Sequence, residues 1–249
     1  MGEPDRTHRF LESLPGVKPE DSFRFRCAPS VVCFNECCAD LDLTLSPYDV
    51  MRLRRCLKMS SRQFLQEFTR IARDPTTGFP CVSLRMLYDE RGSCPFVRDE
   101  GCSVYADRPG ACRAYPVARG AGVGEGNQIS EQYVLLHEEH CKGFTEDQSW
   151  TVEAWLRDQG MDEYISCNDG YLRLTSRWRR HGRSLTREQF AVVFLALYRL
   201  DEFPRFIGHH GLFDGIALLE SRKAAVLEDE TERLYFAIDW IETVAGEPY

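Results

Sequence analysis

Hydrophobic and polar positions follow two regimes along this chain: irregular or two-residue spacing dominates before Trp150, helical spacing after it. Residues 1–22, punctuated by Pro4, Pro15, Gly16 and Pro19, read as a weakly structured lead-in, and Phe23 to Phe25 opens a stretch without clear period. Ser46-Pro47 is a helix start, a capping hydroxyl followed by proline at the first helical position, with Val50, Leu53, Arg54 and Leu57 as its stripe. A second start at Ser60 or Ser61 precedes Phe64, Leu65, Phe68, Ile71 and Ala72, so the two helices are expected to form a hairpin over the preceding loop. Val82, Leu84, Met86 and Tyr88 then alternate with period two, up to the turn Arg91-Gly92. Cys94 to Val97 and Cys102 to Tyr105 flank the turn-like Arg98-Asp99-Glu100-Gly101 and predict a small antiparallel hairpin; Ile129 to Leu136 is a further strand. Gly120, Gly122, Gly124 and Gly126 neither leave a clear strand nor open a helix, so they read as a flexible surface loop rather than a phosphate cradle.

Beyond Trp150, Thr151 caps Val152 to Leu156 with Gly160 as the stop, and Asn168 or Asp169 opens a segment through Tyr171, Leu174 and Trp178. Thr186 caps the most apolar helix, Phe190 to Leu200. After Pro204 a break at Gly208 to Gly211, with His209-His210 as loop, precedes helices from about Phe213 to Val226 and Asp229 to Val244. The last has Leu234, Ile238, Ile241 and Val244 as its core face. The expected class is α+β, mainly α: an irregular cysteine-rich metal-binding region with a small antiparallel hairpin, followed by a helical bundle. The expected division is a lead-in over 1–22, a cysteine-cluster domain over 23–148, and a helical region over 149–249 packed on it.

Composition sharpens this picture. A chain of 249 residues, 43% hydrophobic, can bury a core without covalent staples. The net charge of -8 and the lack of a basic arm argue against nucleic acid or anionic membrane as partner. Arg177, Arg179, Arg180 and Arg183 read as a solvated helix face. Neither the polar first residues nor any later segment has the apolar length of a signal peptide or a membrane span, so a cytoplasmic setting is expected, where thiols stay reduced.

In that setting the cysteines carry the chemistry. Of eleven, eight fall into Cys27, Cys33, Cys37, Cys38, then Cys94, Cys102, Cys112, then Cys141. Thiolates are soft ligands that select zinc, iron or an iron–sulfur cluster over calcium or magnesium. The gaps of five, three, seven and nine residues within the blocks differ from the paired two-residue spacing of a zinc ribbon and suit a cluster at least as well as one tetrahedral ion. Adjacent side chains in an extended segment point apart, so Cys37 and Cys38 either serve two sites or include one bystander. Arg108 and Arg113, close to Cys112, are placed to offset thiolate charge and donate to sulfur. Cys56 and Cys167 read as small buried hydrophobes and Cys81 as outside the set. His137 and His140, beside Cys141, read as hydrogen-bonded or exposed rather than as ligands.

These residues, with Leu45-Ser46-Pro47-Tyr48-Asp49, Arg52-Leu53, Cys94-Pro95-Phe96, Cys102-Ser103-Val104-Tyr105, Arg108-Pro109, Cys112-Arg113, Tyr115-Pro116 and Cys141-Lys142-Gly143, resemble the YkgJ-like cysteine-cluster family with its CxxCxxCC signature of zinc or iron chelation. The gaps around Cys33 are wider than the family's usual two. The resemblance covers about Cys27 to Phe144, and the helical tail looks like that of longer bacterial members. A related flagellin lysine methylase is an iron–sulfur enzyme that uses S-adenosylmethionine, so the resemblance implies a four-iron, four-sulfur cluster as leading cofactor, with zinc as the other. Two roles follow. One is a non-catalytic metal or cluster protein whose helical region offers a surface to a protein partner. The other is an iron–sulfur enzyme or electron carrier, related through the resemblance to protein lysine N-methylation.

Overall fold

The computed structural model describes residues 14–214 and 216–246, with side chains described up to residue 243. Pro4 and the rest of the lead-in before residue 14, and the Val244 side chain, lie outside the described residues. The fold is α+β and mainly α, with small antiparallel sheets. The chain divides into two compact units: residues 1–43 with 85–166, and residues 44–84 with 167–249. No helix among the described residues is long and apolar enough to cross a membrane.

The first unit is built from short strands and long connections. Strand β1 (Gly16–Val17) pairs with the edge of a hairpin formed later in the chain, and β2 (Ser22–Arg24) pairs with a strand near residue 150, so the last residues of the lead-in are structured. The expected small hairpin is present, in shorter form than its flanking runs, as Val97–Arg98 opposite Gly101–Cys102, with Val97 facing Cys102. Gly101 has φ 122, a conformation closed to side-chain-bearing residues, and closes that turn. The glycine-rich stretch corrects the loop reading. Val117–Val123 is a strand that pairs along its whole length with Ile129–Leu135, and the turn between them uses Gly126 and Asn127 at positive φ. The helix Asp162–Arg180 starts in this unit and continues in the second. It opens at Asp162, upstream of the expected Asn168 or Asp169.

An aromatic cluster forms the core of the first unit. Phe25, 1% exposed, meets Tyr115, Phe144 and Trp155 edge-on with centroids 5.9, 5.2 and 5.5 Å away. Both nearby indoles satisfy their N–H groups: Trp155 donates to the Ala114 carbonyl at 2.7 Å and Trp150 to the Phe25 carbonyl at 3.1 Å. Thr151 caps the helix Val152–Asp158 that carries Trp155, and Gly160 at φ 61 ends it, both as expected. At Gly143 the backbone lies close against this core. A Cβ there would sit 2.6 Å from the Phe25 ring and 2.9 Å from the Arg26 carbonyl.

The second unit holds the sheet formed by Thr44–Leu45, Pro80–Leu84 and Thr69–Arg73, with Pro80–Leu84 central. Val82 and Leu84 are buried as their alternation predicts, but the strand ends at Leu84, and Tyr88 is fully exposed. Ser46 and Ser60 cap the helices Pro47–Cys56 and Ser61–Phe68 through reciprocal capping boxes. Ile71 and Ala72, expected on the second of these, lie instead on Thr69–Arg73. Thr69 turns extended at φ -130, and the strand pairs with Pro80–Leu84. These helices belong to the second unit, not to the one with the cysteine loop they were expected to cover.

Thr186 caps Arg187–Tyr198 as expected. Phe203–His210 runs as helix to Gly211 at φ 59, so His209 and His210 are helical rather than loop. The next helix is only Glu220–Glu228, because residues 211–214 form turns where helix was expected; Glu230–Gly246 follows, with Leu234, Ile238 and Ile241 buried. Buried Arg54 pairs with Glu230, and buried Arg233 donates to the carbonyls of Val226, Leu200 and Leu227.

Two substitutions test this architecture. Gly143→Ala overpacks the Phe25 edge and is expected to cost about 1–3 kcal/mol, read as a lower urea midpoint at unchanged slope. Glu230→Ala strands the Arg54 guanidinium, 8% exposed, and is expected to cost about 3 kcal/mol or more in the same measurement.

Candidate metal centre

Four chain segments with little regular structure meet through backbone hydrogen bonds in the first unit. Residues 32–37 are a run of turns, with Asn35 at φ 69 and its side-chain amide donating to the Arg98 carbonyl at 2.8 Å. This ties the first cysteine block to the Val97–Cys102 hairpin. The Cys94 N–H donates to the Cys38 carbonyl at 2.8 Å, Ala39 bridges to Ser93, and the Asp40 N–H reaches the Gly92 carbonyl. At the other side of the block, the Arg26 N–H donates to the Gly143 carbonyl at 3.1 Å, and the Lys142 N–H reaches the Cys33 sulfur at 3.1 Å. Cys112 lies on the short helix Gly110–Ala114, just before the cis peptide bond Tyr115–Pro116.

All eight cysteines singled out by spacing lie in the first unit; Cys56, Cys81 and Cys167 lie in the second. None of the eleven is in a disulfide. Cys167 is buried as expected, whereas Cys56 is exposed on its helix, correcting its reading as a core residue. His137 stacks on the Phe144 ring at 3.8 Å, and His140 lies 3.5 Å from Glu138.

The thiols influence one another. Cys27 is exposed as a residue, yet desolvation of its thiol, followed by the charges of Cys37, Cys33 and Cys141, pushes it up to about 11, with Arg108 pulling the other way. Cys37 and Cys38 are not extended, so the expectation that they point apart fails: their thiols share a hydrogen bond. Cys38 donates, lowering Cys37 to about 7, while that bond, burial, and the charges of Cys37, Cys94 and Cys112 raise Cys38 strongly. Burial raises Cys94 and Cys102 as well, but each accepts the N–H two residues ahead, from Phe96 and Val104, which favours the thiolate. The proline and turn residues after these cysteines thus aim N–H groups at sulfur.

Arg108 is buried and stacks over the Tyr105 ring at 3.8 Å, donating to the Tyr105 carbonyl at 2.6 Å and to the Gln159 side chain. Its charge is felt at Cys27, Cys102 and Cys112. Arg113 donates to the carbonyls of Gln159 and Ala106 and lies over Tyr164. The Tyr164 hydroxyl donates to the Arg108 carbonyl at 3.1 Å. Both guanidiniums thus brace the loop through oxygen acceptors, and Arg108 brings positive charge to the sulfurs. Gln159, which receives both arginines, and Tyr164 escaped the sequence reading. The only signal for Gln159 was its place beside the helix stop at Gly160.

Whether these residues suit a soft metal is a matter of donor chemistry. Among the described residues, no three His, Cys, Asp or Glu side chains stand close enough to hold one ion as they are. The surroundings nonetheless suit negatively charged sulfur. The Arg113 Nε and the Tyr115 hydroxyl are buried without a well-formed hydrogen bond, one next to Cys112 in sequence and the other beside Cys141 and Glu138. Thiols with N–H groups directed at Cys94 and Cys102 and the charge of Arg108 in reach gain by losing protons to a cation.

No curated protein and no solved structure was found to match the chain. Residues 26–144, which span all eight thiols, match the model of the CxxCxxCC family, described as a putative zinc- or iron-chelating domain. Over these residues, just under half of the chain, the protein is similar to that family.

Proposed function

We propose that this protein binds zinc or iron through the thiolates of its first unit, with a four-iron, four-sulfur cluster as the finer reading. The observation that carries the reading is the segregation of eight thiols into one unit, all of them within residues 26–144, which match the family model. Soft thiolates favour zinc, iron and iron–sulfur clusters. The role is that of a metal or cluster protein of a reducing, cytoplasmic compartment, where free thiols persist, with the helical region as the surface for a protein partner. An iron–sulfur enzyme or electron carrier, related to protein lysine N-methylation, would use the same ligands and differs in being redox-active.

Anaerobic purification followed by determination of zinc, iron and sulfide per chain tests this directly. Bound metal is expected, lost on Cys94→Ser or Cys102→Ser and retained on Cys56→Ser; a folded, metal-free wild-type protein would overturn the reading. A visible absorption band that bleaches with dithionite is expected for the cluster, and colourless protein with stoichiometric zinc excludes both the cluster and the redox role.

The pH dependence of stability should invert with metal. In the metal-free protein the folded state holds the Cys27 proton more tightly than the unfolded chain, so this stabilisation is full below the ordinary value of 9.0 and is lost as pH rises through about 11. In the loaded protein the cation competes with protons for thiolate, so stability falls on acidification instead. Denaturant midpoints across pH, with and without a chelator, read both trends.

A further inference from the structure

We propose that the outer edge of the strand Thr69–Arg73 is a docking site for an extended, acidic segment of a protein partner, which adds to the three-stranded sheet of the second unit as a further strand. The site uses none of the eight thiols, and it does not rest on the metal-binding reading. Thr69–Arg73 is the last strand of its sheet and is paired on one side only, with Pro80–Leu84. The Asp74 N–H bonds the Phe79 carbonyl at 2.8 Å and continues the register, which fixes the phase of the ladder. Arg70 and Ala72 therefore exchange main-chain bonds with Ser83 and Cys81, whereas Ile71 and Arg73 turn their N–H and C=O groups away from the sheet. Among the described residues no hydrogen bond is made to those outward groups.

The residues of the edge set what fits it. Residues 70–73 are all exposed, so the strand is open on its faces as well as at its edge. Ile71 is 46% exposed although Val82 opposite it is fully buried, so the core ends at a half-uncovered apolar side chain. Arg70 and Arg73 flank it. Arg73 lies over the Phe190 ring at 5.2 Å and donates to the Leu185 carbonyl, neither of which neutralises it. The Arg70 guanidinium has no ion pair among the described residues. Asp74, the acid next in sequence, is taken up by Thr76, Thr77 and, at 3.8 Å, Arg179. The edge is thus cationic around an apolar centre, in a chain of net charge -8. Such an edge repels a second copy, because antiparallel pairing about Ile71 would set Arg70 and Arg73 of one chain beside those of the other. An extended segment with acidic residues around an apolar one meets these charges with opposite sign and covers Ile71, while its main chain bonds the outward groups.

The test uses the full chain and a capped peptide of alternating glutamate and valine, read by hydrogen exchange of individual amides in NMR spectra. With peptide bound, the Ile71 and Arg73 N–H groups are expected to exchange at least about tenfold more slowly, and that of Ala72, already in the ladder, to change little. The same peptide N-methylated along its length is expected to give no protection. Its lysine–valine counterpart is expected to bind at least about tenfold more weakly, a gap that closes in high salt. Ile71→Pro removes one outward N–H without touching a ladder bond and is expected to weaken binding by about tenfold. Arg70→Glu is expected to reverse the preference between the two peptides. No protection at about 1 mM glutamate–valine peptide overturns the proposal, and so does protection that the N-methylated or the lysine–valine peptide reproduces. Protection that appears without peptide and grows with protein concentration assigns the edge to a second copy and overturns it too. Wild-type protein decides each of these outcomes, so they stand even if Ile71→Pro fails to fold.

Discussion

The eight cysteines of the first unit sit on chain segments that hydrogen-bond to one another. The contacts that matter most run between backbone groups far apart in sequence: Arg26 to Gly143, Cys38 to Cys94, Asp40 to Gly92. Once these are made, the thiols have no freedom to disperse, and loss of their protons sets like charges close together, at a cost that a bound cation would remove. The rest of the first unit offsets that cost. Phe96 and Val104 turn N–H groups toward sulfur, and Arg108 brings a buried positive charge into reach of three cysteines.

The positive charges depend in turn on neighbours with no metal chemistry of their own. A buried guanidinium needs acceptors, and Gln159 supplies a side-chain oxygen to Arg108 and a backbone carbonyl to Arg113. Gln159 is placed by the helix Val152–Asp158, which is anchored by Trp155 to the Ala114 carbonyl. The packing of an aromatic core and the electrostatics of the cysteine loops are thus one problem. Gly143 belongs to both: it follows Cys141 closely and lies against Phe25, where no larger residue fits without displacement.

Features decided locally could be read in the sequence. Ser46, Ser60, Thr151 and Thr186 are helix caps because a hydroxyl and the N–H groups just after it suffice for the interaction. The hairpin at Cys102 and the turn at Gly92 were legible for the same reason. Where distant pairing decides, the reading failed. Ile71 and Ala72 carry helical spacing but join a strand because Pro80–Leu84 lies beside them. Gly120 and Gly122 look like a loop but are ordered by Ile129–Leu135. Asn168, Asp169 and Gly170 look like a break, yet the helix runs through them, with Gly170 close to Ile238. At the site, cysteine spacing singled out the eight thiols that the fold places in one unit, but the turn that brings Cys37 and Cys38 together depends on a left-handed Asn35 held by Arg98. The partners of the arginines carried no local signature.

The indole pair described in the core has an optical consequence. Trp150 and Trp155 sit 5.3 Å apart, and Trp155 is hydrogen-bonded to the residue two positions after Cys112. Their emission therefore originates beside the cysteine loops, where an absorbing iron centre would drain it by energy transfer and a colourless zinc ion would not. The chain carries its own lamp, and the brightness of that lamp distinguishes the two kinds of cargo without any label.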